Sequence, residues 1–325
     1  MISHSGLARY CGHGAVFMVN ADNSDSQINI ATCPVNWNNN DLVGWRPVTP
    51  FPEVLDRIRE AGYTATEYDG SFGSDAAVVM KELQARELEL TGSYQWVDFL
   101  NLGGASGAYD YLRANLAFLK GVDCRNLIVS DPLRPLRVAL AGRVPADGSQ
   151  SLDQASYRRI ANGVQELASV ALEYGIQVRY HNHVGSWIEA PHELNALLAE
   201  LDFSLANLCF DTGHYAYGGG NPYAFIRDNI GHIGYLHLKD VDNRILTDAQ
   251  ARELTFLEAL REIVFAPIGT GTADIPGILG VLLQHGFKGW IVVEQDTCAN
   301  DPTEAARENL TFIKQWLNQS NTVRR

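Results

Sequence analysis

Apolar positions along the chain recur with two periods. Short runs of strand length are separated by longer stretches with helical spacing. Strand signals fall at Ile28–Cys33, Tyr63–Tyr68, Leu88–Trp96 and Asn126–Ser130, then at Gln177–Tyr180, Leu205–Phe210, Ile233–Leu236 and Gly289–Val293. Helical spacing covers Pro52–Ala61, Asp75–Arg86, Tyr109–Lys120 and a long stretch capped by Ser151-Leu152-Asp153 that runs through Tyr174. It returns at His192–Leu201, at a segment opening with Asn221-Pro222, at Ile275–His285 and at Pro302–Leu317. Gly62, Gly121 and Gly175 sit where helices stop, and Asp153 and Pro222 where they begin.

Strands alternating with helices dictate a parallel sheet. Eight such units with no spare strand predict closure into a (β/α)8 barrel. The 325 residues suffice for one barrel with insertions, so residues 28–325 read as a single barrel domain. Residues 1–27 read as an N-terminal extension, because they lack the basic start and long apolar core of a signal peptide. One insertion, rich in Pro, Arg and Gly, follows Ser130; another follows the seventh strand and lasts to about Pro267. Gly269-Thr270-Gly271 reads as a tight turn, since it lacks the Gly spacing and Lys-Ser/Thr ending of phosphate loops, and Gly218-Gly219-Gly220 as a flexible lip.

Composition narrows the function classes. The net charge of −13 argues against nucleic acid and against an anionic membrane surface, because both need clustered Lys and Arg. No apolar run approaches the roughly 20 residues of a membrane span. Five cysteines with no C-x-x-C pattern suit a reduced, cytoplasmic protein. A small-molecule substrate is the expected partner, and a homo-oligomer is left open.

In a barrel all strand C-termini open on one face. Four of the strand ends carry polar groups there: YHNHVG from Tyr180, FDTGH from Phe210, YLHLKD from Tyr235 and VVEQD from Val292. Asp211, His237 and Glu294 would converge, and carboxylates with imidazole suit one divalent ion, Mn²⁺ or Co²⁺ first and Zn²⁺ or Mg²⁺ as alternatives. His181 and His183 lie two apart on one strand face, so one could ligate the ion and the other accept a proton. Asp131 is a further candidate ligand. Lys239 could hold a substrate hydroxyl or act as an acid, and His214 could reach substrate oxygens. Trp37 and Trp96 could stack on a sugar-like ring, with Asn38 and Asn182 as neighbouring substrate contacts. Each residue has a plainer alternative, such as a helix cap for a strand-end Asp or rim packing for a Trp.

These segments resemble the xylose-isomerase-like barrel superfamily of sugar isomerases and epimerases, and within it most nearly the inosose dehydratase family. The likeness rests on PVNWNNNDL after the first strand, HNHVG, DTGH, HLKD and GWIVVEQD, and covers about Ile28 to Leu317. It implies a metal-dependent lyase that removes water from an inosose-like cyclic polyol ketone. His181 stands where relatives carry a ligand Glu, which implies His181 on the metal side and His183, with Lys239 and His214, in proton transfer. Where relatives resemble Ser-Glu-Gln after the fourth strand, this chain has Ser130-Asp131-Pro132. A keto-sugar isomerase or epimerase, and a β-eliminating enzyme acting on 3-keto-glycosides, share the same first proton abstraction. The superfamily's DNA-repair endonucleases fit the acidic charge poorly, and a non-catalytic binding barrel fits the intact acidic and imidazole groups poorly.

Overall fold

The computed structural model describes residues 28–102 and 108–324; the stretch read as an N-terminal extension lies outside the described residues. The strands are β1 (Asn29–Thr32), β2 (Ala65–Tyr68), β3 (Glu89–Trp96), β4 (Asn126–Ser130), β5 (Gln177–His181), β6 (Asn207–Asp211), β7 (Ile233–Leu238), β8 (Asp240–Val241), β9 (Phe265–Ala266) and β10 (Trp290–Val293). Eight of them close into a parallel barrel in the order β1–β10–β7–β6–β5–β4–β3–β2, while β8 and β9 form a separate antiparallel pair. The expected (β/α)8 architecture is therefore the one observed.

Strand alternation decides what faces inward. Ala31, Ala65, Ile128, Cys209, Tyr235 and Val292 form one apolar layer inside the barrel. Their outward neighbours, such as Leu127, Val178, Leu208, Phe210 and Leu236, pack against the surrounding helices in the main core. Two residues further along each strand from Cys209, Tyr235 and Val292 stand Asp211, His237 and Glu294, so the same alternation delivers polar side chains at the mouth. The helices obey their local signals. Asp75, Asp153 and Asn221 accept backbone N–H bonds at N-caps, and Gly62, at φ 97°, and Gly175, at φ 75°, take the left-handed turn after a helix. No helix among the described residues is long and apolar enough to cross a membrane.

Three expectations change in detail. The insertion after β4 contains a helix, Pro135–Ala139. The insertion after β7 folds as helices Asn243–Ala251 and Phe256–Arg261 between β8 and β9. The Gly218-Gly219-Gly220 turn is packed, not loose: a Cβ on Gly218 would come within 2.6 Å of the Glu189 carbonyl oxygen. The Gly269–Gly271 turn is a cradle filled by the chain itself. The backbone N–H groups of Gly269, Gly271 and Ala273 all donate to the Asp240 carboxylate.

The two insertions roof the barrel mouth. Leu42, Ala141, Val184, Tyr217, Phe256 and Phe265 belong to a second apolar cluster separate from the main core. Arg137, fully buried, pins the roof. It donates to the carbonyls of Ser186 and Gln150 and to Glu193 at 2.7 Å, with Glu189 4.0 Å away. Arg137→Ala is expected to cost about 3–5 kcal/mol, because two buried carboxylates would lose their cation. A denaturation curve with a lower midpoint and an unchanged slope would be the signature.

Candidate active site

The register of the barrel sets the site. Asp211 on β6 is the direct partner of His237 on β7, and the Glu294 N–H bonds Leu238 O, which keeps β10 aligned with them. One ligand atom from each of Asp211, His237 and Glu294 lies within 4.8 Å of the other two. Glu294 Oε2 is 3.3 Å from His237 Nδ1, and His181 Nε2 is 3.5 Å from Asp211 Oδ2. All four side chains are buried. The Asp211 carboxylate also caps the following helix, accepting the His214 N–H at 2.6 Å, so its capping and site roles coexist.

Buried polar atoms normally find partners. Here His181 Nδ1 and Nε2 and His237 Nδ1 have no hydrogen-bond partner, and Asp211 Oδ2 has none besides its ion pair with Lys239. Unpartnered nitrogen and oxygen donors converging on one spot fit a divalent cation, since imidazole and carboxylate are the ligand types such ions take. Cys33, Cys124, Cys209 and Cys298 are free thiols. Cys209, in the layer below, lies within ligand reach of His181 and His237, and burial pushes its thiol up to about 12.

Lys239 shares the pocket. Its Nζ lies 2.8 Å from Asp296, 3.1 Å from Glu294 and 3.4 Å from Asp211, and 3.2 Å from His214 Nε2. Burial disfavours the ammonium, but the three carboxylates outweigh it and hold the Lys239 pKa well above its ordinary value. Burial likewise pushes Asp211 upward, and Lys239 and His181 more than reverse it, so that carboxyl sits below the usual range.

His183 is placed differently. Its Nδ1 lies 2.7 Å from the Val184 carbonyl, which can only accept, so Nδ1 carries the proton and Nε2 keeps a free lone pair. That Nε2 faces Asp41 at 4.0 Å. The ring lies against His214 at 3.8 Å and Trp96 at 4.9 Å between centroids, beneath Phe256 at 5.7 Å. Burial, then His181 and Lys239, hold its pKa well below that of an ordinary histidine.

Four expected residues are employed elsewhere. Asp131 is closed on by Arg134 through two bonds, at 2.8 and 3.2 Å, and is not gathered into the ligand group. Trp37 is buried in the main core, its indole N–H donating to Thr303, so it presents no ring face to a sugar. Asn38 exchanges two hydrogen bonds with the Thr49 backbone. Asn182 does the same with the Asp211 backbone, which makes it a brace for β6. Backbone groups take up Asn38 and Asn182, whereas the side chains of Arg134 and Thr303 take up Asp131 and Trp37. Sequence reading overlooked three acids. Glu67 bonds His237 Nε2 at 2.9 Å, Asp296 pairs with Lys239, and Asp41 faces His183. Glu67 occupies an inward position of the alternating Tyr63–Tyr68 run, and Asp296 follows Glu294 by two; those periods were the available signals.

The sequence matches the family described as xylose isomerase-like TIM barrel over residues 55–316. It is 27% identical over 295 residues to inosose dehydratase from Clostridium botulinum (strain Alaska E43 / Type E3), covering 90% of this chain and 98% of that one. It is 29% identical to the rhizopine catabolism protein MocC of Rhizobium meliloti, over 90% of this chain and 87% of that one. Among solved structures, the fold is similar to the IOLI protein with a binding zinc atom, at a TM-score of 0.66 and 12% identity, over 90% of this chain and 99% of that one.

Proposed function

This chain belongs to the xylose isomerase-like TIM barrel family, and from that premise we propose that it is a metal-dependent hydro-lyase dehydrating a cyclic polyol ketone of the inosose kind. The sequence relatives named inosose dehydratase support the substrate class. The observation that carries the chemistry is geometric: His183, with Nδ1 turned to the Val184 carbonyl and Nε2 left free, lies ring to ring with His214, and Lys239 Nζ is 3.2 Å from His214 Nε2 in the same buried pocket.

A divalent ion held by Asp211, His237, Glu294 and His181 would supply stabilisation of the negative charge that develops on the substrate carbonyl oxygen. His183 Nε2 accepts the proton α to that carbonyl. The electron pair left behind forms the new carbon–carbon double bond, and the bond to the β-hydroxyl oxygen breaks. Lys239 donates a proton to the departing hydroxyl, which leaves as water. A proton passed back from His183 to Lys239 restores the starting state, and His214 lies beside both. Phe256 and Phe265 limit water above the imidazoles. Asp240 already takes the backbone donors of the Gly269–Gly271 turn, which favours an unphosphorylated substrate.

Epimerisation and elimination from a 3-keto-glycoside begin with the same proton abstraction and diverge afterwards. Incubation with keto-myo-inositol plus Mn²⁺ or Co²⁺ is therefore expected to give a product lighter by one water with the absorbance of a conjugated dione. Conversion of ketohexoses to sugars of equal mass, with keto-myo-inositol left intact, would replace the dehydratase reading by an epimerase.

A further inference from the structure

Glu67 is fully buried on β2, yet it has no cation of its own among the described ion pairs beyond the His237 ring. Its Oε1 lies 2.9 Å from His237 Nε2, a contact spanning 170 positions of sequence, and its Oε2 has no partner. A carboxylate costs several kcal/mol to bury without compensation, so a position that keeps one does so for a specific contact. The other nitrogen of the same ring, Nδ1, is unpartnered and points to the space shared by Glu294 and Asp211, at 3.3 and 4.0 Å.

We propose that Glu67 is a positioning residue: by accepting a hydrogen bond from His237 Nε2–H it fixes the ring so that the Nδ1 lone pair faces Asp211 and Glu294 and binds the divalent ion. This rests on the metal-dependent reading above. With Glu67 Oε1 accepting at 2.9 Å, the contact selects the tautomer with the proton on Nε2. It also makes the opposite nitrogen a better ligand, as carboxylate–histidine–metal arrangements do. A Gln at 67 keeps an accepting oxygen at the same reach, whereas a Met fills the volume and removes the bond.

The test is Co²⁺ titration of the full metal-stripped protein, followed by visible absorbance, for the wild type, Glu67→Gln and Glu67→Met. The Met variant is expected to bind about 10–100-fold more weakly with an altered Co²⁺ spectrum. The Gln variant should recover most of the affinity and the wild-type spectrum. Wild-type affinity in the Met variant overturns the proposal, and so does an equal loss in both variants, which would mark a charge or packing effect. If the Met variant does not fold, the wild type decides alone: nitrogen-15 spectra of the Zn²⁺-loaded protein should place the His237 proton on Nε2, and a proton on Nδ1 overturns the assignment. A wild type that binds neither ion overturns the metal reading as well; binding by the wild type with an unaffected Met variant overturns only the role of Glu67.

Discussion

His183→Ala should lower turnover by at least about 100-fold while the metal stays bound. The expectation follows from the two nitrogens of one ring. Nδ1 is committed to the Val184 carbonyl, so Nε2 is the nitrogen with a lone pair, and burial keeps the ring neutral and able to accept a proton. An imidazole bound to an ion has its lone pair occupied and cannot serve in this way, which separates His183 from His181. Because proton abstraction precedes loss of water, exchange of the α-hydrogen with deuterated solvent should vanish in the variant. His214 lies 3.8 Å away, ring against ring, and is the obvious substitute. Its lone pair is engaged in either tautomer: Nδ1 lies 3.4 Å from the Val184 N–H and Nε2 lies 3.2 Å from Lys239 Nζ. A His183→Ala protein that exchanges at the normal rate would remove His183 as the base and turn attention to Lys239.

The barrel was legible because its signals are local and repeated. Strand-length apolar runs and period-3.6 helices alternate eight times, three of the helices with a glycine stop, and an error at one boundary, such as ending the sixth strand before Asp211, does not disturb the count. The ends of β5, β6, β7 and β10 were legible for a related reason: once strands are parallel and closed, side chains at their C-terminal ends must meet. What stayed hidden depends on partners distant in sequence. Nothing near Trp37 indicates that Thr303 accepts its indole N–H; Asp131 is the exception, since its partner Arg134 stands only three positions on. Glu67 sat in plain alternation, but its meaning comes from His237 on the far side of the chain. The roof was illegible as a unit, because Leu42, Ala141 and Phe256 join one apolar cluster from three separate connections.

A second expectation concerns the fourth ligand, for which sequence alone offered both His181 and Asp131 and for which the partners of each point to His181. His181→Ala is expected to weaken Mn²⁺ or Co²⁺ affinity by more than about 100-fold, beyond the loss typical of residues that only support a ligand. Asp131→Asn should change it little. His181 has two unpartnered ring nitrogens in a fully enclosed position, one of them 3.5 Å from Asp211, so an ion would satisfy atoms that nothing else satisfies. Asp131 has no such need: Arg134 takes both of its oxygens, and the Trp187 N–H approaches one of them at 3.4 Å. Pulling that carboxylate to an ion would strand a half-buried guanidinium that also pairs with Asp98. Titration calorimetry on chelator-treated protein measures both variants directly. Chelation itself should abolish turnover, and added Mn²⁺ or Co²⁺ should restore it in the wild type and in Asp131→Asn. In His181→Ala, restoration should require far more metal. Equal affinities in the wild type and His181→Ala, with a loss confined to Asp131→Asn, would move the ion toward β4 and require Arg134 to release its partner.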